Sequence, residues 1–223
     1  AEHVRMVTLL ETLVNQNSGS LNIAGVEKVG QMMRAGLEPL GFTVVWKPLP
    51  QTQRAGHLIA THKGSNGGKK MLLIGHLDTV FEPASPFQKF ERRGDKAIGP
   101  GANDNKGGMV VMLAALRAMK AAGTLAAADI EIVLTGDEED AGDPIDVARA
   151  DLIAAGKRAD VALDRHASAF GGNSRLGVGG EATFGFVEAT FEQLLAFVQT
   201  GVVNFEVLAA RRKRTCSRLE FGA

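Results

Sequence analysis

Three short segments gather side chains whose types and spacing are suited to metal chemistry. They are Gly75-His76-Leu77-Asp78-Thr79-Val80, Gly99-Pro100-Gly101-Ala102-Asn103-Asp104-Asn105-Lys106-Gly107-Gly108 and Thr135-Gly136-Asp137-Glu138-Glu139-Asp140. Each supplies imidazole or carboxylate groups, donors that hold zinc. Each is expected where a strand gives way to a loop. Together they point to a hydrolase with a two-metal site.

His76 and Asp78 stand two apart, so on an extended strand end they point the same way. His76 can bind metal through one ring nitrogen while Asp78 accepts a hydrogen bond from the other, an arrangement that fixes the tautomer. The same pair also reads as a hydrogen-bonded histidine at a strand end. Asp104 precedes a helix, where a carboxylate is favoured electrostatically and can bridge two cations; a plain N-cap is the alternative. The surrounding glycines permit close backbone approach. In the third segment Asp137, Glu138, Glu139 and Asp140 repel one another unless cations or solvent neutralise them. Adjacent glutamates can divide the work, one binding metal and the other moving a proton. A solvated acidic loop is the alternative.

These groups need elements to position them. Val4, Val7, Leu10 and Val14 recur at helical spacing over residues 4–15. Asn22 suits an N-cap for a helix running to about Leu40, and Gly41 stops it. Phe42 to Trp46 and His57 to Thr61 read as strands, and Met71 to Gly75 as a strand buried on both faces. Residues flanking Arg93-Gly94-Asp95 read as a hairpin. Met109, Met112, Leu113, Leu116 and Met119 form one stripe of a helix over 106–122. Ile130 to Leu134 and Ala159 to Leu163 read as buried strands, with a helix opened by Pro144 between them. Alternation of buried strands and helices predicts an α/β three-layer sandwich around a mostly parallel mixed sheet. Ligand sites in such sheets gather outside the carboxyl ends of the strands, where the acidic segments fall. Beyond Leu163, residues 171–185 are glycine-rich, and Val187, Phe191, Leu194, Leu195 and Val198 predict one more helix.

The 223 residues carry 45% hydrophobic and 22% charged residues and a formal net charge of zero. That balance gives no pointer to nucleic acid or an anionic membrane. No apolar run reaches the roughly 18–20 residues of a membrane span. Cys216 is the only cysteine, so no intramolecular disulfide forms and the compartment stays open. A start at Ala1 reads as leader removal or a fragment.

The combination resembles the zinc metallopeptidases and deacylases that include carboxypeptidase G (a glutamate carboxypeptidase), acetylornithine deacetylase, succinyl-diaminopimelate desuccinylase and aminoacylase. Leu73 to Val80, Gly99 to Gly108 and Gly136 to Glu139 are similar to that family's three signatures, and the wording is nearest to the carboxypeptidase G branch. The resemblance implies two zinc ions, with His76 on one, Glu139 on the other and Asp104 bridging. It implies that Asp78 orients His76, and that Glu138 is the general base for a water attacking an amide carbonyl. The expected substrate is a small peptide or N-acyl amino acid cut beside a free carboxylate, with an N-acyl-amino-acid deacylase as the second reading.

The chain departs from the family's pattern at two positions. Leu163-Asp164-Arg165-His166 stands where an acidic ligand follows the next strand, which makes His166 a candidate ligand with Asp164 as the alternative. No histidine follows His166, and the inserted lid and dimerisation domain, which makes many members homodimers, is not recognised. The expected organisation is an incomplete catalytic domain over 1–164 and a divergent, glycine-rich and basic tail over 165–223, truncated or altered. Arg211 to Arg214 reads as a solvated tail.

Overall fold

The computed structural model describes residues 2–65, 67–94 and 96–164, together with the strands 173–178 and 185–190. In chain order the elements are α1 (Glu2–Asn15), α2 (Ile23–Leu37), β1 (Thr43–Leu49), β2 (Arg54–His62), β3 (Lys70–His76), β4 (Glu91–Arg93), β5 (Lys96–Ile98), α3 (Lys106–Ala121), β6 (Asp129–Thr135), α4 (Ile145–Arg158), β7 (Val161–Asp164), β8 (Asn173–Val178) and β9 (Gly185–Thr190).

Seven strands form one sheet in the order β1-β2-β6-β3-β7-β8-β9. Its centre, β6-β3-β7, is parallel, while β1, β2, β8 and β9 join through antiparallel ladders. Only β2 and β8 therefore oppose the common direction, which makes the sheet mixed and mostly parallel as expected. β4 and β5 form the separate hairpin read around Gly94.

Helices cover both faces. On one, Leu13 of α1, Val26, Val29 and Met33 of α2, and Met109, Leu113 and Leu116 of α3 pack with Leu58, Ile130, Ile132 and Leu134 of the sheet. On the other, Ala155 of α4 packs on Leu72 and Val133. Successive strand residues face opposite layers, so β6 feeds both cores and is buried along its whole length. No helix among the described residues is long and apolar enough to cross a membrane.

Four local expectations change. Val4 is 67% exposed, while Leu10 and Val14 of the expected stripe turn inward and are joined by Met6, Leu9 and Leu13. α2 ends at Leu37, and Glu38–Leu40 tightens into a 3-10 turn with Pro39 inside it, closed by Gly41 at φ 101°. Pro144 is the extended N-cap of α4 rather than its first helical residue, and α4 runs on to Arg158. Residues 187–190, read as the start of a helix, belong to β9, where a six-residue ladder to β8 overrides the helical spacing; the rest of that expected helix lies outside the described residues.

Candidate metal centre

β3 and β6 are parallel neighbours, with His76 opposite Thr135. Both strands therefore end at the same level, and Leu77 N–H donates to the Thr135 carbonyl at 2.7 Å. This pairing brings the 76–78 segment beside the 136–140 loop. The third segment arrives from the α3 side, where Lys106 N–H closes the glycine-rich turn onto the Gly101 carbonyl at 2.8 Å.

His76 is fully buried. Its Nε2 lies 2.8 Å from Asp104 Oδ1 and 3.9 Å from Glu138 Oε2. Its Nδ1 faces Asp78, 3.3 Å from Oδ1 and 3.2 Å from the backbone carbonyl. The two ring nitrogens are thus divided between the open cluster and the buried carboxylate. One donor atom each from His76, Asp104 and Glu139 lies within 4.8 Å of the others. Glu138 is exposed at the rim and Glu139 half-buried behind it.

The electrostatics follow from this crowding. Burial opposes charge on His76, yet hydrogen bonds to Asp104 and Asp78 and the charge of Glu138 outweigh it and raise the pKa to about 10. Burial raises Glu139, the nearby charges of Asp104, Glu138 and Asp78 add to that, and His76 opposes it. Burial would also raise Asp78, but His76, Ser20 and the Glu139 amide hold it below the usual carboxylate value. Imidazole with convergent carboxylates is a donor set suited to zinc, whose bonds to nitrogen and oxygen are about 2.0–2.2 Å. A cation there would offset the like-charge repulsion that Glu139 feels.

The family described as Peptidase family M20/M25/M40 matches residues 72–206. The chain belongs to that family. Carboxypeptidase G2 of Pseudomonas sp. (strain RS-16) is 34% identical over 139 residues, 62% of this chain and 33% of that protein. Succinyl-diaminopimelate desuccinylase of Novosphingobium aromaticivorans is 39% identical over 115 residues, 48% of this chain and 29% of that protein. The chain thus spans about a third of the length of these curated relatives. Among solved structures, aminopeptidase PepT from Bacillus cereus shares the fold with a TM-score of 0.60 at 21% identity, covering 76% of this chain and 44% of that one.

In this M20/M25/M40 chain the predicted residues His76, Asp78, Asp104, Glu138 and Glu139 come together. Asp164 ends β7, beside β3 and opposite Ile74, while His166 lies outside the described residues. Several supporting residues escape a reading of the sequence. Ser20 Oγ donates to Asp78 Oδ2 at 2.6 Å from 58 positions away. Asp137 is fully buried and held by Arg149 Nη1 at 2.6 Å and by the Gly142 amide at 2.9 Å. Asp140 pairs with Arg54 at 2.9 Å. Two of the four consecutive carboxylates are therefore neutralised by arginines, which leaves Glu138 and Glu139 turned to the cluster.

Proposed function

We propose that this chain is the catalytic α/β part of a zinc-dependent hydrolase that cuts an amide bond beside a free carboxylate, as in release of a C-terminal glutamate. The observation that carries this reading is the convergence of His76, Asp104 and Glu139 donors with Glu138 at their rim. His76, Asp104 and Glu139 would hold zinc, with His166 a further candidate donor. Bound zinc supplies Lewis acidity and makes water acidic near neutral pH.

The chain's own residues do the rest. Asp78 holds the His76 ring at Nδ1, so that Nε2 is the nitrogen presented to the cluster. Glu138 is the exposed carboxylate nearest the cluster, placed to take a proton from the attacking water and return it to the leaving amine. The relative named a desuccinylase, at 39% identity, favours a second reading within the same chemistry, removal of an acyl group from an N-acyl amino acid.

The test is zinc content and hydrolysis of N-acyl-glutamates by the purified chain, alone and as Glu138→Gln. Turnover abolished in the variant with zinc retained supports the reading. Zinc fully bound with no turnover in the unaltered chain defeats it as an enzyme, and no zinc binding at all defeats the metal assignment.

A further inference from the structure

One buried histidine takes no part in the metal cluster. His57 lies on β2, is 1% exposed, and sits one strand away from the root of the acidic loop. Its Nδ1 is 3.3 Å from the Gly136 backbone nitrogen and its Nε2 is 2.7 Å from the Ala148 carbonyl oxygen. A backbone N–H only donates and a carbonyl only accepts. The two partners together therefore require a neutral ring, with the proton on Nε2 and a bare Nδ1.

Gly136 is where the chain leaves β6 for Asp137, Glu138 and Glu139. The passage is tight, since a Cβ there would meet the Gly56 carbonyl oxygen at 2.4 Å and Val26 Cγ1 at 2.8 Å. Within it, His57 supplies the acceptor for the Gly136 amide. The neighbouring residues repeat the connection, because Arg149, next after Ala148, donates to both the carboxylate and the carbonyl of Asp137, next after Gly136. α4 and the acidic loop are thus joined at consecutive positions, once through His57 and once through Arg149.

We propose that His57 is a positioning residue for the Glu138–Glu139 pair: its neutral imidazole ties the first amide of the acidic loop to α4 and so sets where Glu139 stands relative to His76 and Asp104. The proposal rests on the metal-site reading for its consequence, while the tie itself can be tested without metal. A histidine that only filled the core would depend on ring volume and not on which nitrogen is kept.

Two substitutions separate the nitrogens. Asn places a polar atom near Nδ1, so His57→Asn keeps an acceptor for Gly136 and loses the Ala148 contact. Gln places one near Nε2, so His57→Gln keeps the Ala148 contact and leaves the Gly136 N–H unpaired. The measurements are zinc affinity by chelator competition, melting temperature, and exchange of the Gly136 amide by NMR. Loss of a supporting hydrogen bond at a metal site typically costs about 10–100-fold in affinity. The expected result is His57→Asn within about threefold of the unaltered chain and His57→Gln weaker by about tenfold or more, with faster Gly136 exchange only in the latter. Equal zinc affinity in both variants, unchanged or lowered together with melting temperature, overturns the proposal. If His57→Gln does not fold, the ring-nitrogen NMR signals of the unaltered chain decide, and any state other than a bare Nδ1 with Nε2–H overturns it. If the unaltered chain binds no zinc, the metal-site reading fails, and the tie stands or falls on Gly136 exchange and the tautomer.

Discussion

Asp78 accepts the backbone N–H of Glu139 on Oδ2 at 3.0 Å, across 61 positions of sequence. Its other oxygen accepts the Glu138 amide at 3.1 Å, and Ser20 donates to Oδ2 at 2.6 Å. One buried carboxylate therefore orients His76 and holds both glutamates. Asp78→Asn keeps the shape but sets an amide NH2 against groups that are themselves donors. Each buried donor left unpaired costs about 1–3 kcal/mol. The variant is expected to lose about 2 kcal/mol or more in urea unfolding and about 10–100-fold in zinc affinity. Unaltered zinc affinity would show that Asp78 serves the fold alone.

Zinc binding should strengthen steeply with pH. The folded His76 pKa is raised from 6.5 to about 10. In the metal-free protein its contribution to stability is therefore fully present below 6.5 and is lost as pH rises through about 10. Zinc takes the neutral ring, so binding below about pH 10 must release that proton. Apparent affinity is expected to rise roughly tenfold per pH unit between about 7 and 9. Calorimetry in buffers of different ionisation enthalpy should count about one proton released. A flat affinity over that range would place the proton elsewhere.

What the sequence discloses here depends on how local the cause is. The strand at Met71 to Gly75, the stripe of α3 and the Asn22 cap, whose side chain accepts from the Gly25 amide at 3.1 Å, rest on neighbours within a few positions. The convergence of His76 with Glu138 and Glu139 was legible because buried strands beside helices imply parallel neighbours that end at one level. Ser20, His57 and Arg149 were not legible, because their partners become neighbours only through the sheet order. The strand Gly185–Thr190 was missed for a related reason, since its ladder to β8 outweighs a helical spacing that carries no information about pairing.

Arg149 is expected to matter more than an ordinary ion pair. Asp137 is fully buried, and Arg149 binds its Oδ1 at 2.6 Å and its carbonyl at 2.9 Å. Removing one partner of a buried pair leaves an uncompensated charge and costs about 3–5 kcal/mol. Arg149→Met should show a loss of that order in urea unfolding, and adding Asp137→Asn should recover part of it. A loss below about 1 kcal/mol, typical of exposed pairs, would mean that solvent reaches Asp137.

Lys106 gives a prediction whose sign changes with pH. Its side chain is fully buried and donates to the Gln16 carbonyl at 2.8 Å. Burial lowers its pKa from 10.5 to about 8. Below about pH 8 the amine is charged in both the folded and unfolded chain, and folding bears the full desolvation cost, about 3 kcal/mol at about 1.4 kcal/mol per unit. Between about 8 and 10.5 the unfolded chain binds more protons than the folded one, so stability from this group rises with pH. Lys106→Met removes the buried charge and keeps most of the volume, but it leaves the Gln16 carbonyl without this donor, at about 1–3 kcal/mol. At pH 7 the relief outweighs or balances that loss, and the variant should be as stable as the unaltered chain or up to about 2 kcal/mol more stable. Near pH 10.5 the relief has vanished, and the variant should be less stable by about the value of the lost hydrogen bond. Urea unfolding of both proteins at the two pH values reads the difference directly. A deficit of equal size at both would show that folding does not lower the Lys106 pKa.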